Sequence, residues 1–185
     1  ALRTRTALPD DLYECDLLEG DLQNANLSGL CLLGANLSGA NLQQANLQGC
    51  DLRRVILRGA NLTGANLQGV YLNRADLAQA CLTGANLEGA KLQVAQYDRH
   101  TLWPEDFAYK TSGAVGPGAN LNGAYFNTAY LRGVDLEEAR LLGAYLSGAD
   151  LTGANLAGAV LSGADLRKSF LTGACLRSAR FNGSD

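Results

Sequence analysis

From Leu12 to Leu92 every fifth residue is leucine, and from Leu121 to Phe181 every fifth is leucine or phenylalanine, the two phenylalanines being Phe126 and Phe181. That makes 17 repeats in the first run and 13 in the second. A five-residue period excludes a regular helix, whose apolar spacing averages about 3.6, and an ordinary strand, whose faces alternate every second residue. What remains is a short extended piece followed by a turn, made again and again.

The positions flanking each central residue carry the same message. Two residues before it stands Ala in 21 of the 30 repeats, and most of the others are Cys, Val, Ser or Gly, as at Cys50, Val70 and Ser169. Two residues after it stands Gly in 18 repeats, which suits a backbone that must turn with unusual dihedrals. Positions two apart share a face of an extended segment, so the Leu and the small residue point inward together.

The pattern in Ala35-Asn36-Leu37-Ser38-Gly39 and Ala149-Asp150-Leu151-Thr152-Gly153 resembles that of the pentapeptide-repeat family, over nearly the whole chain. The resemblance implies an all-β fold, a right-handed quadrilateral parallel β-helix with four repeats per coil and leucines stacked down its axis. Thirty repeats then form about 7–8 coils, a rod on the order of 35 Å long at the usual strand spacing. Each stacked Leu contributes roughly 1.5–3 kcal/mol on burial, offset by backbone ordering. Residues twenty apart should stand above one another. Asn26, Asn46, Asn66 and Asn86 form such a column, read as a ladder of amides with a structural role.

The phase breaks once, because Leu92 and Leu121 are 29 residues apart. A single domain over 1–185 is expected, with a first repeat block at 11–94, an insertion loop at 95–118 and a second block at 119–185. The loop holds the only Trp and the only His in the run His100-Thr101-Leu102-Trp103-Pro104-Glu105-Asp106-Phe107. Two readings stand for it: a partner-binding protrusion carrying Trp103 and Phe107, or aromatic side chains folded back onto a coil to bridge it. Similar Trp-Pro insertions in cyanobacterial members of the resembled family point to that source.

The composition narrows the function. A net charge of −3 is too small for a strong global field and argues against a nucleic-acid binder. No apolar run is long enough for a membrane span, and no signal peptide is evident. The five cysteines are odd in number and lack a CxxC pair, so neither a disulfide framework nor a zinc site is indicated, and a cytoplasmic location is the simpler expectation. The periplasm or the thylakoid lumen is the alternative if a signal peptide has been removed. The chain opens on Ala1 rather than Met and stops at Asp185 inside a repeat. Ala1 to Pro9 is too short for a capping helix, so the expectation is either a piece of a longer protein or end-to-end association of copies.

No catalytic constellation emerges. His100 is alone, so no Ser-His-Asp or Cys-His arrangement can be built, and Asp51, Asp76, Asp135 and Asp165 occupy a repeat position where Asn alternates with Asp. Gly84 and Gly89 have the spacing of a phosphate-binding loop but are followed by Ala90-Lys91, and the apparent glycosylation sequons are products of the repeat itself. No cofactor and no metal is implied.

Two outward sets stand apart as candidate interaction residues. Arg53, Arg54 and Arg74, with Lys91, should share one face of the first block, and Tyr125 and Tyr145 should stack in the second. The reading that follows is a non-enzymatic scaffold or protein-interaction module with an unidentified protein partner. The alternative comes from the resemblance, since some family members mimic duplex DNA and bind type II topoisomerases. That role needs a strongly acidic surface, from which this chain departs. An enzyme is the third and weakest reading.

Overall fold

The computed structural model describes residues 12–185. The expectation about a cap at Ala1 to Pro9 lies outside them. The chain divides into two compact units, Ala1–Ser112 and Gly113–Asp185. Each is a stack of rectangular coils.

Within a repeat, the N–H of the residue three beyond the central leucine donates to that leucine's carbonyl, as in Leu30 N–H to Leu27 O at 3.1 Å. The residue two beyond the leucine has positive φ, 71° at Gly29. A bond from the fourth residue back to the first with a left-handed third residue is the pattern of a type II turn. The same geometry closes every repeat. The 12 repeats that lack Gly at this position place Glu14, Glu19, Asn24, Gln44, Arg54, Arg74, Gln79, Val94, Thr128, Glu138, Lys168 and Ser178 there, all with φ between 50° and 62°.

Between the turns lies a single extended residue paired to the coils on either side. In the first unit, parallel bridges join Asn26 to Asn46, Asn46 to Asn66 and Asn66 to Asn86, always twenty residues apart. Leu27 donates to Asn46 O at 2.8 Å, Gly29 to Gln48 O at 2.9 Å, and Asn46 donates back to Ala25 O at 2.9 Å. Bridges of the same kind start from Asp16, Asp21, Asn26 and Cys31, so four repeats make one coil. The second unit follows the same rule from Asn120↔Arg140 to Val160↔Arg180.

The core is the pair of inward residues in each repeat. Leu27 through Leu82 and Ala35 through Ala80 are almost wholly buried in the first unit, as are Leu141 through Leu161 and Ala139 through Ala159 in the second. Toward the last coil of the second unit the inward leucines are less buried, with Leu176 39% exposed.

The expected insertion at 95–118 is shorter than its phase break suggests. Gln96 pairs with Asp76 and Leu102 with Cys81, so the first unit keeps its ladder past residue 94. One extra residue between Tyr97 and Thr101 causes the slip in phase. The second unit also begins early. Gly118 donates to Glu137 O at 2.8 Å and has φ 67°, while Ala119 donates to Gly116 O, so Ala114 to Gly118 is a repeat with Gly116 in the leucine's place. Beyond that slip, the described residues of the first unit leave the coil path after Trp103, in a stretch that holds a 3₁₀ turn at Tyr109–Thr111.

The left-handed turn position should respond to substitution through backbone strain alone. A Cβ on Gly69 meets nothing within 4 Å, yet its φ is 66°. Gly69→Val is therefore expected to cost about 1–2 kcal/mol, and Val94→Gly to stabilise the chain, because a β-branched residue is the worst occupant of this region. Chemical denaturation followed by circular dichroism measures both, and equal midpoints for the two variants would contradict the assignment.

Candidate interaction surface

The outer wall is built from the residue just before each leucine, and its ordinary chemistry is self-contained. Asn36 Oδ1 accepts the Ser38 N–H at 3.2 Å and the Ser38 hydroxyl at 2.7 Å, holding its own turn. Its Nδ2 donates to Asp16 Oδ1 in the coil below at 3.1 Å. Asn46 and Asn66 continue the ladder from Asn26 with amide bonds of 3.2 and 3.1 Å. Most Asp and Asn side chains are thus engaged in shaping the wall.

Arg53 is part of that chemistry rather than a free cation. Its Nε and Nη2 clasp Asp51 in a bidentate pair at 2.8 and 2.6 Å. The Arg53 hydrogen bond, opposed by partial burial, holds the Asp51 carboxyl below its usual range. Arg54 and Arg74 occupy the left-handed corner position, with φ 59° and 61°. Lys91 follows Tyr71 and Asp51 in the bridged column, so the four basic residues do share one face. On this face Asp51 neutralises Arg53. The bidentate pairing recurs as Arg167 with Asp165, both bonds at 2.8 Å, while Arg58 reaches Asp76 on the next coil by one bond of 2.8 Å. The Asp165 carboxyl is lowered to about 2 by the Arg167 side chain.

Trp103 and Phe107 fold back into the first unit. Tyr97 stands twenty residues after Leu77, in the leucine position, and is buried. Trp103 follows the bridged Leu102 and takes the leucine position above Leu82. Its ring stacks on Tyr109, with centroids 5.3 Å apart and planes 3° apart, and on Phe107 at 5.6 Å. Tyr97 meets Trp103 and Tyr109 edge-on, each at 5.5 Å. Four rings thus continue the leucine ladder in aromatic form, and this self-packing describes Trp103 and Phe107 better than a protruding hook.

The slip of one residue before Trp103 is absorbed by Asp98. Its Oδ1 accepts the N–H of Gln79 at 3.0 Å, where a coil carbonyl would otherwise stand, and that of His100 at 3.0 Å. Thr101 Oγ1 accepts the Asp98 N–H at 3.1 Å, and its one proton is within reach of both Leu77 O at 2.9 Å and Asp98 Oδ1 at 3.1 Å. Burial opposes ionisation of Asp98, but the N–H groups of Gln79 and His100 and the Thr101 hydroxyl outweigh it, and the carboxyl titrates below its ordinary value. The imidazole of His100 is exposed, its Nδ1 3.8 Å from Asp98 Oδ2.

The second unit carries the features least explained by coil building. Tyr125 and Tyr145 stack in parallel, centroids 4.6 Å apart and planes 1° apart, on bridged neighbouring rungs. Sequence reasoning missed two companions on the next face. Tyr130 and Phe170 bracket Asp150 in a second bridged column, and Tyr125, Tyr130 and Phe170 are 76%, 72% and 60% exposed. Arg132 lies 6.0 Å from the Tyr130 ring and 3.5 Å from Asp150 Oδ2. The signal was present, since reading only the residue before each leucine shows aromatics where Asn or Asp is the rule. Among the described residues no group of His, Cys, Asp and Glu could hold a metal ion, and no helix is long and apolar enough to cross a membrane.

Comparison with known proteins follows the architecture. The family model for pentapeptide repeats matches in eight copies over residues 21–59, 56–93, 118–148 and 144–183. Similar solved structures include HetL of the cyanobacterium Nostoc sp. strain PCC 7120, a pentapeptide repeat protein involved in heterocyst differentiation regulation. It is 36% identical, with 94% of this chain and 81% of that one covered and a TM-score of 0.48. A second Nostoc pentapeptide repeat protein, alr5209, is 38% identical over 55% of this chain and 84% of its own, with a TM-score of 0.47. Full-length QnrB1, a plasmid-mediated fluoroquinolone resistance protein, is 18% identical over 99% of this chain and 88% of its own, with a TM-score of 0.44. No curated protein matches the chain.

Asp98 gives the testable consequence. Asp98→Ala removes the acceptor shared by the N–H groups of Gln79 and His100 at an exposed corner and is expected to cost about 0.5–1.5 kcal/mol, with Asp98→Asn milder. The folded-state pKa of Asp98 is depressed, so its contribution is full above the unfolded value of about 3.9 and is lost as pH falls through the folded one. The stability gap between native and Asp98→Asn chains should therefore be constant from neutral pH to about pH 5 and narrow below about pH 4. Denaturation midpoints measured across that range test the sign.

Proposed function

We propose, from the premise that the chain belongs to the pentapeptide-repeat family, that it is a non-enzymatic protein-interaction module which engages a protein partner through the aromatic faces of its second unit. The observation that carries this reading is the exposure of Tyr125, Tyr130 and Phe170, joined by the stacked Tyr145, on two successive faces of one stack. Elsewhere the same outward position is filled mainly by Asn and Asp that serve the wall itself. Solvent-facing aromatics in a register this regular add little to folding, and tyrosine is among the residues that anchor protein interfaces. The coil holds the rings in place before a partner arrives, which reduces the ordering that binding must impose.

Mimicry of duplex DNA finds no support in the surface. It needs a dense row of free carboxylates, whereas Asp51, Asp76, Asp150 and Asp165 are each paired with an arginine. The net charge of −3 adds little to a long-range field. The chain is expected to leave DNA supercoiling by a type II topoisomerase unchanged. A regulatory role is suggested by the relation to HetL, and a cytoplasmic location by five cysteines without a CxxC pair.

The test is a double variant, Tyr125→Ser with Tyr145→Ser, compared with the native chain as bait in extracts of a cyanobacterium. Both side chains point away from the core, so the circular dichroism spectrum and melting midpoint should barely move. Recovery of the native chain's partners should fall by about tenfold, the loss of one to two interface anchors. Equal recovery by the two baits would remove the reading.

A further inference from the structure

The ladder of the first unit ends with donors unsatisfied on the Ala85–Gly89 face, as it does at Leu92 and Val94 on the next face, among the described residues. In the column Leu27, Leu47, Leu67, Leu87, each rung donates two N–H groups to the next, Leu67 to Asn86 O and Gly69 to Glu88 O, both at 2.8 Å. The next pair of donors, Leu87 and Gly89, finds no acceptor among the described residues, and Ala85 O receives no N–H. A buried donor without a partner is rare, since each costs about as much as a lost hydrogen bond. Of the two, Leu87 is the buried one, only 5% exposed, whereas Gly89 is exposed.

The space beyond this rung is open. After Trp103 the chain leaves the coil path, and Pro104, Glu105, Asp106 and Phe107 form the far wall of a groove of about 660 Å³ whose near wall is the run Thr83 to Gly89. A strand paired to this rung would lie about 4.8 Å from it, on the side where the groove opens. Its charge is one-sided. Glu88, Glu105 and Asp106 line it with no lysine or arginine among the lining residues, and none of the three has an ion-pair partner among the described residues. Glu88 accepts one bond, from Gln68 Nε2 at 3.0 Å.

The geometry points to a peptide-docking site: a basic, extended segment of a partner protein adds a parallel rung to Ala85–Gly89, between the coil and the Pro104 to Phe107 wall. Its carbonyls accept the N–H groups of Leu87 and Gly89, and one of its N–H groups donates to Ala85 O. Its arginine or lysine side chains meet Glu88, Glu105 and Asp106, and an intervening apolar side chain lies against Phe107. This is strand addition to a sheet edge, with main-chain bonds for affinity and alternate side chains for selectivity. The inference shares with the proposed function only the nature of the partner, a protein. It concerns a different unit and stands or falls separately.

The experiment uses the whole chain and synthetic peptides of about seven residues, the length of a typical strand. The first alternates arginine with valine and carries a fluorophore. The second has the same sequence with backbone N-methylation at alternate residues, which keeps the charge and removes the strand-forming edge. The third replaces arginine by glutamate. Fluorescence anisotropy should show the first binding at least about tenfold more tightly than either other peptide, because each loses a class of contact. Glu105→Lys combined with Asp106→Lys, which lies outside the coil, should weaken the first peptide by a similar factor. Hydrogen exchange at the Leu87 and Gly89 amides should slow on its addition. Absence of binding, equal binding of the N-methylated peptide, indifference to the charge reversal, or unchanged exchange at Leu87 and Gly89 would each overturn the site. Loss of peptide binding in the Tyr125→Ser, Tyr145→Ser chain would also overturn it, by moving the contact to the second unit.

Discussion

The structure depends on one backbone event, a left-handed residue two positions after every central leucine. Eighteen glycines and twelve other residues adopt it, including Val94 and Thr128, for which the conformation is strained. The turn that this residue permits sends the chain round a corner after each short extended step. Four corners return the chain to its starting face after twenty residues, so that Leu27 lies beneath Leu47 and Asn26 beneath Asn46. That non-glycine residues accept the strain shows which term prevails. Burial of a leucine and an alanine in each repeat, with three inter-coil hydrogen bonds, outweighs about 1–2 kcal/mol of unfavourable backbone conformation.

The same period that builds the core decides the chemistry of the outside. An Asn or Asp before the leucine accepts the N–H two residues on, which ties the outer side chain to its own turn, and an Asn can also reach the coil below. Arginines that follow such an Asp, at Arg53 and Arg167, are drawn into bidentate pairs with it. Much of the wall is thus chemically closed, and residues that build wall resemble residues that could do chemistry. Departures from the rule therefore carry more information than the rule, and they collect at the Asp98 to Phe107 stretch and on the aromatic faces of the second unit.

Most of the coil was legible in the sequence because the period is short, repeated and nearly free of exceptions. The stack of Tyr125 on Tyr145 was legible for the same reason, since twenty-residue spacing places them on one column. The boundaries of the insertion were not. Leu102 looks like an inward leucine but points outward, while Trp103 takes the inward place, and the slip that causes this is hidden by a carboxylate standing in for a backbone carbonyl at Asp98. The neutralisation of Arg53 by Asp51 could have been read from their two-residue spacing, whereas the groove beside Ala85–Gly89 depends on where the chain goes after Trp103. No periodicity encodes that path.

Tyrosine shows how far position in the repeat, rather than residue type, sets the role. At the central position Tyr97 is buried and meets Trp103 and Tyr109 edge-on, continuing the leucine ladder with rings. One residue earlier in the repeat, Tyr125 and Tyr145 face solvent with their planes 1° apart. Their 4.6 Å separation is close to the rise between coils, so the backbone imposes the stack and the rings do not need to find each other. A side chain ordered by the coil has little rotamer freedom left to lose when a partner covers it, and that saving goes directly into affinity. A rigid parallel ladder is therefore a means of presenting flat aromatic surface at low entropic cost, and the second unit places that surface on two successive faces.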